Sequence, residues 1–148
     1  MYSSYDSAAI GIIVIAVIIG VAIGLGIMIM YLLTLQNTLK EVSVENQKMP
    51  PGQVWLTLIP LFGIVWIFIV VNRIADSLAA EFTKRNITDQ DARPGYSIGI
   101  TYCILNCCGI IPFVGALASL GGLVCWIIYW VKMSGYKKLL QSRPAMAM

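Results

Sequence analysis

Three stretches of this chain carry no charged residue at all: 8–35, 54–71 and 94–131. Each is long enough to cross the roughly 30 Å hydrocarbon core of a bilayer, which takes about 20 apolar residues as helix. Only 11% of the 148 residues are charged and 59% are hydrophobic, whereas about a quarter of a soluble domain is charged. The chain therefore reads as an all-α, polytopic, multi-pass protein of the cell membrane.

The first stretch, AAIGIIVIAVIIGVAIGLGIMIMYLLTL, follows a short polar head, MYSSYDS. It lacks a basic leader and far exceeds the 7–15 residue apolar core of a secretion signal, so it reads as a retained helix. Its Ile and Val would favour strand in water. In lipid an isolated span must satisfy its own backbone, which leaves helix.

A polar segment, 36–53, ends in the breaker Pro50-Pro51-Gly52, and a second span follows over about 54–72. Beyond it, Ile74, Leu78 and Phe82 recur at i, i+4 and i+8 among polar neighbours. That spacing predicts an amphipathic cytoplasmic extension over about 73–85. The tract 96–131 would be about 54 Å long as one helix. Asn106, Gly109, Pro112 and Gly115 place a break inside it, giving spans at about 96–110 and 113–131, with a re-entrant hairpin as the alternative.

Four spans form a small single-domain bundle and put 72–95 and the tail on the same side as the head. Those segments hold Arg73, Lys84, Arg85, Arg93, Lys132, Lys137, Lys138 and Arg143, against Lys40 and Lys48 opposite. By the positive-inside rule both termini are expected in the cytoplasm.

One motif occurs twice. Ile59-Pro60-Leu61-Phe62-Gly63 is echoed by Ile111-Pro112-Phe113-Val114-Gly115, each ahead of a tryptophan in an apolar run, Trp66 and Trp126. Proline lacks the N–H that a helix needs, so Pro60, Gly63 and Pro112 are expected to kink their spans, or Pro112 to sit in the turn. Either a parallel duplication or coincidence accounts for the pair.

Ala16, Gly20 and Gly24 form a small-xxx-small ladder for helix packing, and Gly115 and Ser119 mark a second thin face. Trp55, Trp126, Tyr129 and Trp130 are expected as interfacial anchors. Trp66 needs an acceptor for its indole N–H, and Asn106 places an amide in an apolar tract; both are candidates for partner or lipid contact. Cys103, Cys107, Cys108 and Cys125 have no C-x-x-C spacing and the chain has no histidine, so buried thiols are expected rather than a metal or cofactor site.

No span carries an ionisable residue that would mark an ion path, and no triad is available without histidine. The bases form no aromatic-interleaved stripe for nucleic acid. The residues point to a non-enzymatic structural or accessory subunit that packs with lipids and with partner membrane proteins or copies of itself. A small oligomeric transporter or channel with kinked helices is the alternative.

Overall fold

The computed structural model describes residues 4–89, 91–109, 111 and 114–143, with the backbone alone at 4–6. Its regular structure is all helical: α1 (Ser4–Lys40), α2 (Phe62–Lys84), α3 (Tyr96–Cys108) and α4 (Gly115–Ser142), with 3-10 helices at Val44–Asn46 and Pro51–Leu58. Three of the α-helices are long and apolar enough to cross a membrane, and α3 is shorter. The chain divides into two compact units, Met1–Leu33 and Thr34–Met148.

The first unit is the apolar part of α1. Its sequence from Ala8 to Leu33 is hydrophobic around the whole helix, the pattern of a segment surrounded by lipid or protein.

The second unit is two hairpins side by side. In the first, residues 41–58 run back along α2 in the opposite direction. Ser43 meets Glu81, Lys48 meets Ser77, Gln53 meets Trp66, and Thr57 meets Gly63. In the second, α3 and α4 pair directly, with Leu105 against Gly121 and Gly122. The hairpins join where Gly99 of α3 comes against Val71 of α2 and Tyr129 of α4.

Two local features of this arrangement differ from those drawn from the sequence. The second helix begins at Phe62, not near residue 54, because Pro60 ends the 3-10 segment at a tight turn. Segments 36–53 and 72–95, expected on opposite faces, are hydrogen-bonded to one another instead. The physical reason is that 41–50 carries polar groups matched to those of the amphipathic half of α2.

The core runs along one face of α2 through both of its halves. Ile67, Val70, Val71, Ile74, Ala75, Leu78 and Phe82 are buried along one face, and Leu35, Leu39, Val42, Met49, Val54, Met133 and Leu140 are also buried in this unit. The opposite end is inverted in character: Leu58, Ile59, Leu61, Phe62, Val65, Ile111, Val114, Leu117 and Leu120 are exposed. One end of the unit is packed like a soluble domain. The other is dressed for lipid.

The first Ile-Pro-x-x-Gly motif forms a turn at that apolar end, and the described residues of the second, Ile111, Val114 and Gly115, lie between α3 and the start of α4. Leu61 sits at φ 64°, ψ −53°, and the Phe62 N–H bonds to the Pro60 carbonyl at 2.7 Å, which is the rare, strained γ-turn. Gly63 then donates to the Ile59 carbonyl at 2.7 Å, and Gly115 donates to the Ile111 carbonyl at 2.8 Å. A Cβ on Gly63 would lie 2.1 Å from the Thr57 carbonyl oxygen, and one on Gly115 would lie 2.5 Å from that of Gly109. In each case the returning helix starts with its bare backbone against a carbonyl six residues upstream. Pro112, expected as a kink, lies outside the described residues, as do Ile110 and Phe113.

The closeness of that carbonyl makes Gly63 sensitive. Backbone cannot rotate out of the way as a side chain can, so Gly63→Ala is expected to cost about 1–3 kcal/mol as an overpacking change. Thermal unfolding in detergent reads it, with Gly52→Ala, where an added Cβ meets nothing within 4 Å, as the control. Equal unfolding temperatures for the two variants would refute the tip geometry.

Candidate functional site

The polar end is organised by one carboxylate and one guanidinium. Glu81 lies on the buried face of α2 with no exposure. Its oxygens accept from the Ser43 N–H at 3.1 Å, the Ser43 hydroxyl at 2.8 Å, the Asn46 amide at 2.7 Å and Arg85 Nε at 2.6 Å. Burial pushes the Glu81 carboxyl upward, and the donors from Asn46, Ser43 and Arg85 more than reverse this, leaving it below its ordinary value of 4.5.

Arg85 uses every N–H it has. Nε and Nη2 hold Glu81, Nη1 donates to the carbonyls of Leu140 and Arg143, and Nη2 also donates to that of Glu41. Glu41 directly follows α1, Leu140 and Arg143 lie at the end of α4, and Arg85 itself caps α2. Three helix C-termini, each with orphan carbonyls and partial negative charge, therefore converge on one cation. The fixed fork of guanidinium suits this task as a lysine point charge does not.

Around this node the loops are tied down by further polar contacts. Gln47 donates to the carbonyls of Leu39 and Val42, Lys84 pairs with Glu45, and Arg93 bridges Asp76 and Asn72 while stacking on Tyr96. Lys132 reaches Asp91. These contacts tie the loops of the polar end together; among the described residues no group of three or more His, Cys, Asp and Glu could hold a metal ion.

Two of the clefts on the surface of this unit involve residues singled out in the sequence. One, between α3 and α4, is lined by Tyr102, Asn106, Ser119, Gly122, Leu123 and Trp126. The other lies where the apolar run of α2 gives way to its polar half, lined by Lys48, Met49, Gln53, Trp66, Ile69 and Arg73 among others.

The residues singled out in sequence are distributed as follows. Ala16, Gly20 and Gly24 lie on α1 in the first unit. Gly115 is committed to the tip turn, so its small size serves that turn, while Ser119 faces Gly109 and the α3–α4 cleft. Pro60 stands in the turn between two helices, so it ends a helix where a kink within one was expected. Trp55 donates to Gln36, and Trp130 donates to Thr34 and packs on Trp126 at 5.3 Å.

Tyr129 departs from its expected role as an anchor. It is buried, because Gly99 leaves room for its ring between α3 and α4. The indole N–H of Trp66 donates to the Gln53 carbonyl at 2.9 Å, and its ring stacks on Phe62. Asn106 is exposed near the end of α3 and lines the same cleft as Ser119. All four cysteines are free, and Cys103 alone is fully buried.

The Glu81–Arg85 node was not foreseen. One signal was present: Glu81 falls on the apolar stripe of Ile74, Leu78 and Phe82, where a lone carboxylate demands partners.

The chain matches no protein-family model, no curated protein and no solved structure. What the fold defines by itself is an all-helical protein with several helices able to span a membrane.

Proposed function

We propose that this chain is a non-enzymatic integral membrane protein, a structural or accessory subunit that packs with partner membrane proteins. In this reading α1 crosses the bilayer once, and the two hairpins enter it from the cytoplasmic face and return to that face. The observation that carries the reading is the placement of charge. All ten Lys and Arg residues belong to the polar end of the second unit, and the exposed Ile-Pro-x-x-Gly tips have none.

Dimensions support it. The apolar part of α2, residues 62–71, spans about 15 Å, and that of α4, 115–131, about 25 Å. The first is about half of a roughly 30 Å core, while α4 as a whole is long and apolar enough to cross it. The polar end then collects every base on one side, a sharper division than the eight against two of a four-pass bundle. The C-terminal segment stays cytoplasmic. The N-terminal end of α1 moves to the opposite face.

For partner binding, the Ala16-Gly20-Gly24 ladder offers the small-residue surface by which helices associate in lipid. Copurification from mild detergent followed by mass measurement tests this. A stable hetero-complex, dispersed by Gly20→Ile, is the expected result. An isolated monomer would contradict it. A homo-oligomer enclosing a channel would favour the second reading, a small transporter, whose support is the polar Asn106–Ser119 cleft.

A further inference from the structure

We propose that the cleft between residues 48–53 and the first half of α2 binds an anionic phospholipid, with the lipid phosphate held between Lys48 and Arg73. The proposal rests on the reading that this hairpin enters the bilayer.

Charge is the first argument. Lys84, Arg85, Arg93 and Lys132 are each paired with a carboxylate; of the other bases, which have none among the described residues, Lys48 and Arg73 share one cleft, and its lining contains no acid. Arg73 spends one N–H on the Lys48 carbonyl at 3.1 Å. That bond fixes the guanidinium beside the lysine backbone and leaves the rest of its fork for an oxyanion.

Position and shape are the second argument. The apolar run ends at Val71 and Arg73 follows two residues later, so the cations stand at the level where headgroups begin. The same cleft continues onto Trp66, Ile69 and Met49, an apolar wall suited to the upper part of an acyl chain. Trp66 is held in place by its bond to Gln53 and its stacking on Phe62. A polar, cationic mouth above an apolar wall matches a phospholipid better than it matches a free phosphate.

Native mass spectrometry of the detergent-solubilised chain, with phosphatidylglycerol or phosphatidylcholine added, tests the proposal. Phosphatidylglycerol is expected to be retained about tenfold better. Lys48→Ala and Arg73→Gln are each expected to weaken its retention about fivefold, the typical contribution of one interfacial cation. Arg73→Lys, which keeps the charge, should retain most of it. Lys138→Ala, on α4 outside the cleft, should leave retention unchanged.

Equal retention of the two lipids, or an equal loss in Lys138→Ala, would overturn the proposal. Displacement by an equal concentration of glycerol phosphate would overturn the lipid assignment in favour of a free phosphate. Correct one-sided labelling of the loops with no lipid preference removes this site and spares the hairpin reading. Two-sided labelling with the preference intact removes the hairpin reading alone.

Discussion

Replacing Arg85 with alanine is expected to destabilise the second unit by about 3–5 kcal/mol, the usual cost of breaking a buried ion pair by removing one partner. Glu81 would be left fully buried with its charge uncompensated. The ends of α1 and α4 would lose the donor that holds Glu41, Leu140 and Arg143. Native domains have about 5–15 kcal/mol in hand, so this loss is a large share of the total.

Related variants separate charge from geometry. Arg85→Lys should recover part of the loss, because a lysine supplies the charge but cannot reach Glu81 and three carbonyls at once. The double variant Arg85→Met/Glu81→Met should be less damaged than Arg85→Ala, since no charge is then stranded. Thermal unfolding in detergent checks the series. Equal stability of Arg85→Ala and the parent would remove the node from the account.

The same node sets a pH dependence. The folded Glu81 carboxyl lies below its ordinary value of 4.5, so folding favours its ionised form. Its contribution is present in full above that ordinary value and is lost as pH falls through the lower folded value. Unfolding temperature should therefore drop on acidification below about pH 4.5, and Glu81→Gln should flatten that drop.

The helical class, with several helices able to span a membrane, was legible in the three charge-free stretches, because composition and length alone decide it. The amphipathic 73–85 segment was also legible, since Ile74, Leu78 and Phe82 mark its buried face, and α2 continues through it without a break. The path of residues 41–58 was not legible. A proline in an apolar run reads the same whether it kinks a helix or ends one, and Pro60 ends one. The deciding contact, Gly63 against the Thr57 carbonyl, joins positions whose closeness depends on the turn itself.

Charge counting turns on the same point. With a full crossing at 54–72, Lys40 and Lys48 fall on the far side. With a hairpin there, they join the other eight. The bonds on which the hairpin reading draws, Ser43 to Glu81 and Lys48 to Ser77, link residues 38 and 29 apart in sequence, and no local pattern announces them.

The second large effect is topological and close to all-or-none. In a variant lacking the native cysteines, single cysteines would be placed at Val44, Leu61 and Lys138. Val44 and Leu61 are highly exposed, at 85% and 81%, so reactivity depends on water and not on packing. Val44 stands in the loop that a four-pass bundle exports, Leu61 at a hairpin tip, and Lys138 on the polar end of α4.

A membrane-impermeant maleimide applied to right-side-out and to inverted vesicles gives the most direct reading. If both hairpins enter and leave on the cytoplasmic face, Val44→Cys and Lys138→Cys label only in inverted vesicles, and Leu61→Cys labels in neither. Labelling of Val44→Cys only in right-side-out vesicles, with Lys138→Cys labelled only in inverted ones, would contradict the account.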